Sequence, residues 1–262
     1  MGQGAPRRVW ELANLGLEDE DLSAEHGTRN TKNECHPTTT VIIPAYNEEQ
    51  GLPIVLEGVF EIVDASCEVL VVNDGSGDGT AEVASRFPCR LINHEVNKGK
   101  GEALKTGIKN ARGENIIWID ADDTYPVEVI PQMVEALETY DIVIGSRVRG
   151  RDSIPAFNRI GIWIFRNIMK RMHGFSAYDP CSGLCGVKKH YLEQMELSSR
   201  GFAIEPEICV KASRMKLKML DIPIEYRARV GDSKLSAVKV GFEDLWTILR
   251  LIPWRPSKDG NG

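Results

Sequence analysis

Between residues 39 and 122 the chain repeats one pattern: a short apolar, β-branched run, a loop rich in Asn, Asp, Gly or Lys, and then an amphipathic stretch. Thr39-Thr40-Val41-Ile42-Ile43 ends at Pro44, and Ala45-Tyr46-Asn47-Glu48-Glu49 follows as a loop with helix-start chemistry. From Gly51 to about Asp64, Leu52, Val55, Leu56, Val59, Phe60 and Val63 recur at three- and four-residue spacing, one apolar face for packing on a sheet. Glu68-Val69-Leu70-Val71-Val72 is apolar enough for a strand covered on both faces. It stops at Asn73-Asp74-Gly75-Ser76-Gly77-Asp78-Gly79-Thr80, and a helix is expected from Ala81 to Phe87. Cys89-Arg90-Leu91-Ile92, Asn97-Lys98-Gly99-Lys100-Gly101 and the stretch Glu102 to Ala111 repeat strand, loop and helix, before a last strand at Asn115-Ile116-Ile117-Trp118-Ile119. This alternation predicts an α/β domain with a mostly parallel central sheet, right-handed crossovers and flanking helices. Such sheets bind ligands at the carboxyl ends of their strands, where Tyr46, Asp74, Lys100 and Asp122 fall.

The last strand closes on Asp120-Ala121-Asp122. Carboxylates two residues apart at a strand end converge on one side, a geometry that holds a divalent cation against a diphosphate. Mg²⁺ takes one or two protein carboxylates together with phosphate oxygens and waters, so the pair suits a nucleotide-sugar better than a closed all-protein cage. A solvated turn running through Asp123-Thr124-Tyr125-Pro126 accounts for the same triplet without a metal. Two other nucleotide motifs are absent. Gly75, Gly77 and Gly79 form GxGxG rather than the GxGxxG dinucleotide fingerprint, and no GxxxxGK[ST] phosphate loop occurs.

Val41 to Glu49, Val71 to Thr80, Asn97 to Gly101 and Asp120 to Asp122 together resemble the motif series of family 2 glycosyltransferases of GT-A fold. Gly145-Ser146-Arg147, Asp179-Pro180-Cys181-Ser182-Gly183 and Gly231-Asp232-Ser233-Lys234-Leu235 extend the resemblance, which covers roughly residues 38 to 250, towards the dolichyl-phosphate mannose synthases and polyprenyl-phosphate glycosyltransferases. It implies an inverting hexosyl transfer from GDP-mannose to a lipid-linked phosphate, with Mg²⁺ or Mn²⁺. It places Pro44, Ala45, Tyr46 and Glu48 on the base and ribose and Asp74 at the base edge; Asp74 also reads as a residue that merely forms the turn. Ala121 lies in the donor site between Asp122, the principal metal ligand, and Asp120, on the ribose or behind the metal. Many members carry Gln where this chain has Thr124, so Thr124 stands in the metal set as a shorter, neutral ligand.

The remaining roles follow from chemistry. Lys100, Arg229 and Lys234 are cations suited to diphosphate oxygens, although each alone also reads as solvated surface charge. A sugar hydroxyl must lose a proton as it attacks and needs a base, whereas a lipid phosphate is already ionised and needs only cations. The acceptor half supplies Arg147, Arg159 and the Ser182 hydroxyl, and its histidines, His173 and His190, sit in no motif. That favours a phosphate, with Glu205 or Glu207 held in reserve as the base for a hydroxyl. The runners-up are a family 2 transferase with a hydroxyl acceptor and a silent nucleotide-sugar-binding subunit partnered by a membrane protein.

At 262 residues and 42% hydrophobic the chain can bury one large core. We divide it into a polar leader over residues 1–37, with a short helix at Val9 to Leu17, a domain over 38–250 and a tail over 251–262; the domain's donor half is 38–150 and its acceptor half 151–250. The net charge of −6 argues against a general nucleic-acid binder. Six scattered cysteines without a CxxC pair indicate free thiols in a reducing compartment, and neither a signal peptide nor a myristoylation motif is visible at Met1-Gly2-Gln3-Gly4-Ala5-Pro6. The expected location is cytoplasmic, peripheral on a membrane.

Ile160-Gly161-Ile162-Trp163-Ile164-Phe165 is far short of the roughly 18 apolar residues of a membrane span. From Asn158 to His173 there is no acidic residue, and helical spacing puts Arg159, Arg166 and Lys170 on one stripe, Ile160, Ile164, Ile168 and Met172 opposite, and Trp163 near the margin. On the residues alone this favours a surface helix packed on the sheet by its apolar face over an interfacial helix on anionic headgroups; the resemblance implies the latter, since it puts this helix where the mannose synthases recruit a lipid-linked phosphate. Leu235 to Arg250 is a second amphipathic helix, with Val238, Phe242, Leu245, Trp246 and Leu249 on one stripe; core packing and membrane contact suit it equally well.

Overall fold

β1 (Thr39–Ala45) is buried along its whole length and lies between β2 (Cys67–Asn73) and β4 (Asn115–Trp118), parallel to both. The strand runs one residue past Pro44, where the apolar run was expected to end. Pairing with β4 ends at Ile42 opposite Trp118, and β1 continues to Ala45 on its β2 side alone. These coordinates are a computed structural model, and the structure describes residues 37–149, 156–175, 177–231 and 237–256. The leader before Pro37, the helix expected at Val9 to Leu17, and Lys234 lie outside the described residues.

With β3 (Arg90–Asn93), β5 (Ile142–Arg149), β6 (Cys185–Lys188) and β7 (Met219–Glu225), these strands form a seven-stranded sheet in the order β3-β2-β1-β4-β6-β5-β7. It is mostly parallel, as the alternation predicts; only β6 runs antiparallel to its neighbours, β4 and β5. The helices are α1 (Leu52–Ile62), α2 (Thr80–Ala84), α3 (Lys100–Asn110), α4 (Ile130–Thr139), α5 (Ala156–His173), α6 (Lys189–Gln194), α7 (Ile204–Arg214) and α8 (Ala237–Arg250). Two expectations shift: α2 is shorter than the stretch Ala81 to Phe87, and Lys100, read as loop, is the first residue of α3.

The two-residue period of β1 splits the core. Val41, Ile43 and Ala45 pack on the α1 and α4 side, with Leu52, Val55, Leu56, Val59, Ile130 and Met133. Ile42 faces the other way, into a cluster with Leu104 of α3, Ile204 and Ile208 of α7, Met169 of α5 and Ile248 of α8. α3 lies so close to β1 that a Cβ on Gly107 would come within 2.6 Å of the Ile42 side chain.

The structure settles which way the amphipathic helices face. Met169 of α5 is fully buried; of the apolar stripe that could have packed on the sheet, Ile168 is half-buried against the core while Ile160, Ile164 and Met172 are exposed. Arg166 is not in an outward basic stripe; it is half-buried with its guanidinium 4.7 Å from the Tyr178 ring. In α8, Asp244, Thr247 and Ile248 face inward while Phe242, Trp246 and Leu249 face out. Among the described residues no helix is long and apolar enough to cross a membrane.

Candidate active site

At the carboxyl ends of β1 and β2 the loops are laced together. Asn47, at φ 53°, donates its backbone N–H to Ser76 Oγ (2.9 Å) and accepts from Gly77 N at its side-chain oxygen (2.7 Å), while Glu48 N donates to Thr80 Oγ1 (2.8 Å). Tyr46 stands on this rim, half out of the surface, and Pro44 and Ala45 line its base as the last residues of β1. Asp74 lies beneath it, buried, and its carboxylate accepts from Lys98 N (3.0 Å) and Gly99 N (2.7 Å) and pairs with His94 Nδ1 (2.6 Å). In the structure Asp74 therefore ties the loop after β3 to the loop after β2. His94 was missed in the sequence because a lone histidine after a short strand has no motif spacing; only the fold brings it to Asp74.

Asp120, Ala121 and Asp122 follow β4 after Ile119, and each carboxylate meets a cation of the chain. Lys100 Nζ, at the start of α3, sits 2.6 Å from Asp120 Oδ1 and 2.5 Å from Glu205 Oε1 at the start of α7. Burial raises the proton affinity of both acids, and Lys100 works against it. Lys100 was expected on a diphosphate; its partners here are two carboxylates. Asp122 pairs with Arg229, whose guanidinium also pairs with Glu48, so one arginine bridges the loop after β1 and the loop after β4. The chain after β7 is strapped to the same place, Arg227 N donating to Thr124 O (2.9 Å) and Val230 N to Asp122 O (3.1 Å).

Thr124 is buried, and its hydroxyl donates to Asp122 Oδ1 at 2.6 Å, so it orients that carboxylate from behind. The oxygens of Asp120 and Asp122 are hard donors suited to Mg²⁺ or Mn²⁺. Among the described residues there is no group of three His, Cys, Asp or Glu able to hold a metal. Two carboxylates suit an ion whose remaining ligands come from substrate oxygens, and each of them is paired here with a cation of the chain, Asp120 with Lys100 and Asp122 with Arg229.

On the acceptor side, Arg147 is clamped. Its Nε and Nη2 donate to Asp179 at 2.6 and 2.8 Å, Nη2 also donates to Cys181 O at 2.7 Å, and the guanidinium lies 5.5 Å from the Tyr226 ring. Burial disfavours the charge, and Asp179 more than offsets it. Ser182 is buried and donates to Gly145 O (2.6 Å), so its hydroxyl braces the turn. Arg159 is exposed on α5. Gly183 abuts Asp120 so tightly that a Cβ there would come within 2.1 Å of Oδ2.

Glu207 is excluded as a base. It is fully buried; Ser198 N, Ser199 N, Ser198 Oγ and Lys211 Nζ (2.8 Å) all bind it, and despite burial these partners pull it down to about 2. Glu205, two residues earlier, faces the aspartates instead.

The glycosyl transferase family 2 model matches residues 40–195, more than half of the chain, and the chain belongs to that family. It is 30% identical over 197 residues to a dolichyl-phosphate hexose transferase of Haloferax volcanii, covering 74% of this chain and 85% of the relative. It is 34% identical over 237 residues to a dolichol-phosphate mannosyltransferase of Pyrococcus furiosus, covering 84% of this chain and 65% of that longer protein. The fold is GT-A: glucosyl-3-phosphoglycerate synthase of Mycobacterium tuberculosis, solved with Mn²⁺, UDP and glucosyl-3-phosphoglycerate, superposes with a TM-score of 0.68 at 21% identity, covering 90% of this chain and 88% of that one.

Proposed function

We propose that this chain is an inverting polyprenyl-phosphate hexosyltransferase that moves mannose from GDP-mannose to a dolichyl-type phosphate on the cytoplasmic face of a membrane. The observation that carries the reading is the pair α5 and α8. They pack on each other and on α7, which brings Glu205 to Lys100 and, through it, to Asp120. Their inner faces reach the site through Arg166 on Tyr178 and Asp244 beside Cys181, while Trp163, Phe242 and Trp246 stand 60%, 71% and 68% exposed outside. Exposed aromatics on helices that frame a cleft suit an acceptor that arrives in a lipid surface. The relatives named for dolichyl-phosphate hexose and mannose transfer support the same acceptor and a hexosyl donor.

In the reaction an acceptor phosphate oxygen forms a bond to the anomeric carbon as that carbon's bond to the nucleoside diphosphate breaks, the electron pair leaving on the β-phosphate. No proton has to be removed, and Glu205, the carboxylate held in reserve as a base, is paired with Lys100. Asp122, oriented by Thr124 and backed by Asp120, would hold Mg²⁺ or Mn²⁺, which neutralises charge on the departing diphosphate. Glu48, Asp74 and Tyr46 frame the nucleoside, Lys234 adds charge to the diphosphate, and Arg147 and Arg159 set the acceptor phosphate, with Ser182 bracing the turn through Gly145 rather than donating to the phosphate.

The test is product identification. With labelled GDP-mannose or UDP-glucose, label should enter polyprenyl phosphate and be greatest from GDP-mannose. Label appearing in a soluble sugar hydroxyl while the lipid phosphate stays unlabelled would overturn the proposal.

A further inference from the structure

We propose that Arg229 is the exchangeable cation of the donor site: with the site empty its guanidinium stands in for the metal between Glu48 and Asp122, and when metal and nucleotide enter it transfers to the diphosphate. This rests on the donor chemistry proposed above, and it adds the starting position of the arginine.

Three features of the structure lead to it. First, the arginine's partners are the proposed metal ligand and a carboxylate of the β1 loop, so one side chain neutralises two acids that would otherwise repel each other across the cleft. Second, Arg229 is not anchored from below. Its Nε is buried without a hydrogen-bond partner among the described residues, and the guanidinium reaches its carboxylates through Nη1 and Nη2. Third, its backbone is held at the cleft whichever way the side chain points, because Arg227 N and Val230 N bond the carbonyls of Thr124 and Asp122. A side chain tethered at the rim can swing from carboxylates to phosphates without moving the strap. Guanidinium binds both kinds of oxyanion in the same forked geometry, whereas the Asp122 oxygen it leaves is a hard ligand suited to a divalent ion.

Exchange makes opposite predictions for two equilibria. Arg229→Met removes the competitor, so Mn²⁺ alone should bind the donor-free protein about tenfold more tightly, the size expected for one lost ion pair near a surface. The same variant should bind GDP or UDP in the presence of Mn²⁺ about tenfold more weakly, because the diphosphate loses a charged partner. Arg229→Lys keeps one charge but loses the fork and should fall between wild type and Arg229→Met in both. Arg227→Met, in the same strap but paired with Glu128 and Asp123, controls for disturbance of the segment and should leave both affinities unchanged.

Mn²⁺ affinity is read from the electron paramagnetic resonance signal of the free ion, nucleotide affinity by calorimetry, and folding of each variant by thermal unfolding with and without Mn²⁺. A larger Mn²⁺-induced rise in melting temperature for Arg229→Met than for wild type is the corresponding stability signature. Unchanged or weaker Mn²⁺ binding in folded Arg229→Met overturns the exchange, as does unchanged nucleotide affinity. No acceptor is present in these measurements, so they stand whichever acceptor the enzyme uses; transfer to a hydroxyl would overturn the lipid-phosphate reading and leave the exchange intact.

Discussion

At the scale of single residues, this site separates a ligand from the groups that hold it. Asp122 presents a carboxylate to the cleft, and Thr124 donates a hydroxyl to one of its oxygens. Replacing a proposed ligand removes several kcal/mol of charge stabilisation, so Asp122→Asn should lower metal-dependent turnover by about 10³-fold or more. Thr124→Ala removes only an orienting bond and should cost about tenfold. Equal losses in metal titrations of the two variants would make the threonine a ligand in its own right. The acceptor is decided by a second pair of residues. For a pre-ionised phosphate, Arg147→Ala should raise the acceptor KM strongly, since Asp179 then lacks its bidentate partner, and Glu205→Gln should lower turnover only mildly. For a hydroxyl, loss of the base would remove ~10²–10⁴ of the rate instead. Steady-state kinetics on both variants, with donor affinity measured separately, distinguishes the two. Glu207 leaves this contest because its four protein donors give it a structural role.

At the scale of elements, α5 and α8 carry the proposed connection to a membrane. If their outer faces enter a bilayer, replacing Trp163, Phe242 and Trp246 with Gln together should lower partition into vesicles by at least a hundredfold, at ~1–2 kcal/mol per aromatic side chain. Charge reversal at Lys170 and Arg171, both exposed, should weaken binding to anionic vesicles by about 1 kcal/mol per charge, and salt should do the same. Sedimentation unchanged in all of these would return α5 and α8 to the role of ordinary surface helices. The inner face of α8 holds a different liability. Asp244 is buried with Oδ1 lacking a partner among the described residues, and burial, reinforced by Glu205 and Glu243, lifts its carboxyl to about 8. Its folded value lies above the roughly 3.9 of an unfolded chain, so between about pH 4 and 8 the folded state binds more protons and this group lowers stability as pH rises. Asp244→Asn should therefore raise the melting temperature at pH 7 to 9 and change it little at pH 4. A variant equally stable or less stable at pH 8 would show that Asp244 is charged and satisfied.

At the scale of the whole molecule, the close packing of α3 on the sheet fixes where Lys100 stands in the site. α3 starts at Lys100 in the site and runs back over Ile42 of β1 at Gly107. Gly107→Ala would drive a Cβ into the Ile42 side chain and should destabilise the fold by about 1–3 kcal/mol despite alanine's better helix propensity. Ile42→Val should relieve part of it, so the double variant should be less destabilised than the sum of the singles by denaturant unfolding. Strict additivity would mean that α3 can slide away from the sheet.

Local pattern determined the strand and helix alternation, the mostly parallel sheet and the aspartate pair at a strand end, because side-chain periodicity and loop chemistry are written in neighbouring residues. The first strands and helices accordingly lie within a few residues of their expected places, and Asp120 and Asp122 stand where the pattern put them. What only the tertiary structure decided are the pairings over long separations: Arg229 with Glu48 and Asp122, Lys100 with Glu205, and Arg147 with Asp179. No periodicity relates residues 181 positions apart. Helix orientation was equally hidden. The apolar stripe of α5 had two possible neighbours, core or surroundings, and a sequence fixes the stripe's composition but not which side the rest of the protein covers. Glu205 and Glu207 make the same point at one turn of helix, since two like acids in one short motif became an ion-paired site residue and a buried brace according to what the fold placed beside each.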